Sequence, residues 1–93
     1  MTEVNHVKGT DKGKIFLYAL STCVWCRKTK KLLDSMGVEY SYIYMDKLDG
    51  EKRDKRMEEL RKWNPRGSFP TLIFNDEKCI VGFKEVEIKK ELE

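Results

Sequence analysis

Two cysteines carry the clearest chemistry in this chain. Cys23 and Cys26 enclose Val24 and Trp25 in the stretch "STCVWC". Three uses fit a C-x-x-C spacing: a thiol pair that cycles with its own disulfide, two ligands of a metal, or two small buried side chains. As a structural staple the bridge would achieve little, because closing so short a loop hardly restricts the unfolded chain. As a bond to be made and broken it is well suited. Cys23 is then the attacking thiolate, which forms a mixed disulfide with a substrate. Cys26 attacks Cys23 in turn and frees the reduced substrate. An outside reductant must reopen the bridge. A zinc site asks for four ligands, and the other candidates are Cys79, expected in a strand, and His6, in the N-terminal segment. Cys23 follows the polar pair Ser21-Thr22, which argues against an inert core thiol. Cys79 lies alone in an apolar run and reads as a small hydrophobe, with regulatory oxidation as the lesser alternative.

The elements around the pair suit the redox reading. "KIFLYAL" (Lys14–Leu20) is a continuous apolar run, short enough for a buried central strand. From Cys26 the period becomes helical, with Thr29, Leu32, Leu33 and Met36 on one face and Arg27, Lys28, Lys30 and Lys31 on the other. Gly37 supplies the stop. The cysteines therefore fall at a strand-to-helix turn, with Ser21 and Thr22 as candidate caps. The unpaired amides and partial positive charge of a helix start favour the thiolate form of Cys23, and Arg27 and Lys28 add cationic character.

Further along, Tyr40, Tyr42 and Tyr44 alternate with Ser41, Ile43 and Met45, which is strand period. Leu48–Trp63 is charge-rich with Met57 and Leu60 on one stripe, a surface helix supported by Glu51/Lys55 and Glu58/Lys62 spacing. "NPRGSFP" (Asn64–Pro70) is a loop, and Pro70 stands where a cis bond after Phe69 or an ordinary edge-strand proline would fit. "TLIF" and "KCIVGF" flank "NDE" as a hairpin. Ile88 and Leu92 mark a short terminal helix. The order β-α-β-α-β-β-α predicts an α/β fold: a mixed four-stranded sheet flanked by helices, its first two strands parallel through a right-handed crossover. Residues 14–93 form this one domain, and residues 1–13, polar and without period, are expected as a flexible tail.

Charged residues make up 38% of the chain yet nearly cancel at +3, and they are interspersed, so a nucleic-acid surface is not indicated. No run approaches the roughly 20 apolar residues of a membrane span, and the N-terminus lacks the apolar core of a signal peptide. A cytoplasmic monomer is expected. Three cysteines do not make a secreted disulfide framework, and a lone C-x-x-C in a reducing compartment reads as catalytic or metal-binding.

Taken together, Cys23-Val24-Trp25-Cys26 after a buried strand and Ser68-Phe69-Pro70-Thr71 before the hairpin resemble the glutaredoxin family of the thioredoxin fold, over Lys14 to Leu92. The resemblance implies a dithiol–disulfide oxidoreductase that needs no cofactor. It implies that Pro70 is the cis-proline beside the cysteines, leaving the Phe69 backbone free for a substrate peptide. It also implies that Gly82 helps form the groove for the substrate cysteine. Trp25 and Phe83 join these as expected substrate-binding residues, Trp25 as an exposed aromatic suited to docking a protein.

The departures bear on the electron donor. Glutathione-using glutaredoxins carry Pro-Tyr between the cysteines, a lysine where Leu20 stands, Thr-Val-Pro against Ser68-Phe69-Pro70, and a Gly-Gly pair with acidic residues against Gly82-Phe83-Lys84-Glu85. Glutathione is therefore disfavoured, although Lys62 and Arg66 are available cations for an anionic tripeptide. "GFK" (Gly82-Phe83-Lys84) is more similar to the redoxins that serve ribonucleotide reductase and draw on a thioredoxin-reductase-type enzyme; a ferredoxin-linked reductase is the other donor considered. Protein disulfides are the expected substrates. The alternative is an iron–sulfur carrier or metal-binding module, which in this family typically uses one cysteine followed by Gly-Phe-Ser, a tripeptide absent here.

Overall fold

The structure, a computed structural model, describes residues 3–93. Ile15–Ala19 and Thr71–Phe74 are the strands buried most completely, and they lie side by side at the centre of the sheet. In chain order the elements are β1 (Asn5–Val7), β2 (Ile15–Ala19), α1 (Val24–Ser35), β3 (Tyr40–Tyr44), a single 3₁₀ turn (Met45–Lys47), α2 (Gly50–Trp63), β4 (Thr71–Phe74), β5 (Lys78–Val81) and α3 (Glu85–Leu92). The sheet runs β1-β3-β2-β4-β5. β2 and β3 are parallel, with Leu17 opposite Tyr42. β4 is antiparallel to both β2 and β5, with Leu17 opposite Leu72 and Leu72 opposite Ile80. This is the mixed α/β architecture that the element order predicts, and the thioredoxin-like fold that the resemblance implies.

The sheet differs from expectation at one edge: it has five strands, not four. The extra strand, β1, comes from the segment expected as a loose tail, and pairs antiparallel with β3 through Asn5–Tyr42, His6–Ser41 and Val7–Tyr40. Backbone pairing and polar contacts hold it, with Val7 alone packing against the apolar core. His6 meets Ser41 Oγ at 3.0 Å and Glu39 at 3.2 Å, and Arg56 on α2 reaches Glu3 at 3.0 Å. Thr10 then brackets Val38, its amide donating to Gly37 and its carbonyl accepting from Glu39.

Two apolar layers cover the sheet. On one face Leu17, Ala19, Tyr40, Leu72 and Phe74 pack with Cys26 and Leu33 of α1 and with Ile88 and Leu92 of α3. On the other, Tyr18, Ile43 and Ile73 pack with Met45, Leu48 and Leu60, the last from α2. Strands covered on both faces read as unbroken apolar runs, which is why β2 and β4 show no alternation. Gly37 ends α1 with a φ of 67° beyond the Met36 cap, as the sequence suggests. The β4–β5 turn places Asn75 and Asp76 at φ 54° and 53°, and the Asn75 side chain accepts from the Lys14 amide at 2.8 Å, tying the hairpin to the start of β2. α2 begins at Gly50 under an Asp49 cap. Its ion pair is Arg56 with Glu59, not the Glu51/Lys55 and Glu58/Lys62 pairs expected from spacing. No helix among the described residues is long and apolar enough to cross a membrane.

Candidate active site

The turn from β2 into α1 is built so that a cysteine, not a hydroxyl residue, caps the helix. Cys23 is the N-cap, at φ −85° and ψ 122°, and its sulfur accepts the Cys26 amide at 3.2 Å. That is the position from which a Ser or Asp oxygen usually satisfies an orphan amide. Ser21 and Thr22, expected as caps, form the turn immediately before it. The Ser21 amide donates to Asp46 Oδ1 at 2.9 Å and its hydroxyl to Asp46 Oδ2, which holds the Asp46 carboxyl below its usual range. The Cys23 amide closes the turn on the Leu20 carbonyl at 3.2 Å. No acidic residue occupies the first turn of α1 to oppose a negative sulfur.

The two thiols are free and unlike each other. Cys23 is partly exposed, whereas Cys26 is 2% exposed within the α1-side core. Burial pushes the Cys26 thiol up to about 12, reinforced by a hydrogen bond with Cys23. A reachable sulfur thus sits beside one that keeps its proton.

A second loop completes the surface. The Phe69–Pro70 bond is cis. The loop before it is fixed by buried Asn64, whose Nδ2 donates to Ser68 O, Ser68 Oγ and Thr71 Oγ1 at 3.2, 3.0 and 3.1 Å. Thr71 Oγ1 donates in turn to Ser68 O at 2.9 Å. Gly82, at φ 86°, donates its amide to Pro70 O at 2.8 Å, which joins the end of β5 to this loop. Cys23, Phe69 and Phe83 all pack against the cluster that contains Cys26. No described residue engages the amide or carbonyl of Phe69.

Trp25 is 55% exposed and stacks on Phe83 with ring centroids 6.2 Å apart and planes 26° apart, with Lys28 Nζ 4.7 Å from the Trp25 ring. Val24 beside it is also exposed. The structure therefore brings Cys23, Cys26, Trp25, Phe69, Pro70, Gly82 and Phe83 to one end of the sheet. Lys62 does not join them; it lines a separate groove with Lys14, Tyr18 and Asp76. Arg66 is exposed in the 64–70 loop, its amide on Asn64 Oδ1. Among the described residues no group of three or more His, Cys, Asp or Glu is placed to hold a metal ion, and His6 is engaged by Glu39 and Ser41.

A family model described as Glutaredoxin matches residues 15–80, the span that contains both cysteines and the cis-proline. The chain belongs to the glutaredoxin family. The glutaredoxin of Methanosarcina mazei Go1 is 56% identical, with a TM-score of 0.89, and the match covers 98% of this chain and 88% of that one. Methanoredoxin of Methanosarcina acetivorans is 52% identical at a TM-score of 0.88, over 90% of this chain and 88% of that one. NrdH-redoxin of Escherichia coli, a glutaredoxin-like protein with a thioredoxin-like activity profile, is 25% identical at a TM-score of 0.68, over 83% and 92%. Family membership and the adjacent thiols make thiol–disulfide oxidoreduction the general activity of this glutaredoxin fold.

Two residues of the site were not picked out by sequence reasoning. Asn64, in "NPRG", carries the polar network under Ser68 and Thr71, and its only signal was an Asn closing a helix before a proline. Asp46 braces the Ser21 turn from 25 residues away, and nothing local marks it.

Proposed function

We propose that this protein is a dithiol redoxin that reduces disulfides in other proteins and draws its electrons from a flavin- or ferredoxin-linked reductase in preference to glutathione. The observation that carries the reading is the pairing of a helix-capping, reachable Cys23 with a buried, protonated Cys26. The Cys23 thiolate attacks one sulfur of the substrate disulfide. That S–S bond breaks, a mixed disulfide forms, and the departing substrate thiolate takes a proton. Cys26 then gives up its proton and attacks Cys23 Sγ, which forms the Cys23–Cys26 bridge and releases the second substrate thiol. Two electrons pass from the dithiol to the substrate, and the external reductase returns them.

Substrate contacts fall to the residues around the pair. The unengaged Phe69 backbone offers an amide and a carbonyl to an extended peptide. The exposed Trp25–Phe83 stack offers a flat aromatic face, which suits a protein partner better than a small charged tripeptide. Leu20 gives no cation where a glutathione carboxylate would need one, and Lys62 lines another groove. The thioredoxin-like activity profile of NrdH-redoxin supports the same reading, and the resemblance of Gly82-Phe83-Lys84 to redoxins that serve ribonucleotide reductase makes that enzyme one candidate target. The compartment is the cytoplasm, where a C-x-x-C stays reduced between turnovers.

The test is a reduction assay of the oxidised protein with three donors: glutathione, NADPH with thioredoxin reductase, and a ferredoxin-linked reductase. Rapid reduction by a reductase and slow reduction by glutathione are expected; fast reduction by glutathione alone overturns the donor assignment. Cys26→Ser is expected to trap a mixed disulfide between Cys23 and the substrate protein, visible by non-reducing electrophoresis and mass.

A further inference from the structure

Beside the reactive turn lies a pocket that the thiol chemistry does not use. It measures about 230 Å³ and is walled by Leu20, Met45, Asp46, Arg53, Met57 and Phe69. Its position is set by the site itself. The Leu20 carbonyl accepts the Cys23 amide, and Phe69 carries the unengaged backbone before Pro70. The pocket is therefore continuous with the surface on which a substrate cysteine must sit.

Its chemistry is apolar. Leu20, Met45, Met57 and Phe69 pack as one group against the α2-side core. The two ionised residues are exposed, of opposite sign and already held by their own chain: Asp46 by Ser21, and Arg53 through its Nη2 on the Leu48 carbonyl at 2.9 Å. No net charge is left to recognise a carboxylate or an ammonium. The volume is below the roughly 300–1,000 Å³ of small-molecule sites and suits one large side chain. Two methionines give walls that adapt to unbranched or γ-branched groups.

We infer that this pocket is a specificity subsite for a bulky aliphatic side chain, leucine or methionine, adjoining the disulfide cysteine of the substrate protein. A substrate strand laid along Phe69 presents its flanking side chains beside that residue, and one of them enters between Leu20 and Met57. The inference rests on the protein-disulfide reading above and narrows its substrate class.

The test compares oxidised peptides, each with one disulfide, in which the residue on either side of the attacked cysteine is Leu, Gly or Asp. For the wild-type protein with its reductase, kcat/KM for leucine on one of the two sides is expected to exceed that for glycine by about tenfold. Aspartate should do worse than glycine. In Met57→Lys the preference is expected to collapse or to shift toward aspartate, whereas Met57→Leu keeps it. Rates within twofold of one another across the wild-type series overturn the subsite, as does an undiminished leucine preference in Met57→Lys. Failure to reduce any of the peptides is a different result, since it sinks the protein-disulfide reading itself.

Discussion

Cys26 and Cys79 are both free thiols against apolar clusters, and burial raises the pKa of each. What separates them is a neighbour. Cys26 lies three residues after Cys23, gives its amide to that sulfur, and shares a hydrogen bond with it through its own thiol. Cys79 sits in β5 opposite Ile73, with no other cysteine nearby in sequence. Burial by itself makes a thiol inert, because it disfavours the thiolate that does the chemistry. Burial next to a reachable sulfur fits a different use in the proposed mechanism, where the second thiol keeps its proton until the first has formed a mixed disulfide. The same physical effect thus accompanies an isolated thiol in one place and, on the proposed mechanism, a resolving thiol in the other.

The largest expected effect comes from removing the neighbour. Cys23→Ser should lower protein-disulfide reduction by about 10³-fold or more, since the pair acts as a unit. It should also turn Cys26 into a second Cys79, an isolated buried thiol that alkylates slowly. In the wild-type protein at neutral pH, iodoacetamide should label Cys23 at least about tenfold faster than Cys26 or Cys79. Peptide mapping by mass spectrometry reads both outcomes. Faster labelling of Cys26 than of Cys23 would reverse their roles.

Much of this was legible in the sequence because the signals were local. The apolar run of β2, the helical period from Cys26 and the Gly37 stop placed the cysteines at a strand-to-helix turn, where they are. The parallel β2–β3 pair and the β4–β5 hairpin followed from element order and turn residues. β1 was illegible because two of its three residues are exposed and it is held by backbone pairing, by polar contacts to Glu39 and Ser41 and by Val7 alone against the core, and one apolar residue leaves no hydrophobic period. The helix cap was misassigned to Ser21 and Thr22, since propensity favours hydroxyls there. The carboxylate that engages Ser21 instead, Asp46, is distant in sequence. The pocket beside Leu20 was hidden for a similar reason: Met45, Met57 and Phe69 come from three separate segments.

A smaller effect separates the two thiols by pH. The folded state holds the Cys26 proton up to about 12, whereas an unfolded chain releases it near 8.5. Between those values the folded state binds more protons, so its stability falls as pH rises, by up to about 1.4 kcal/mol per pH unit from this one group. Tyr18 and Tyr40, both raised by burial, add slopes of the same sign. The diagnostic is therefore the difference between reduced wild type and Cys26→Ala in denaturant midpoints from pH 8.5 to 11. The variant should lose stability less steeply, and so should the oxidised wild type, whose bridge leaves no Cys26 thiol to titrate while Cys79 titrates in all three. Parallel curves for all three would mean that the Cys26 proton is not held by the fold.

The smallest effect belongs to Cys79. Its sulfur packs partly buried against the α2-side cluster, so Cys79→Ala removes one atom from a site that is not fully enclosed. The expected cost is about 1 kcal/mol in unfolding free energy, at the low end for shortening a side chain in a core. Reduction of protein disulfides should stay within twofold of wild type, and so should the redox midpoint of the Cys23–Cys26 couple. A change in that midpoint, or a loss of peroxide sensitivity in Cys79→Ala, would show a thiol that takes part in redox chemistry from β5. The contrast with Cys26 would then fail at the end where burial alone was taken to be enough for silence.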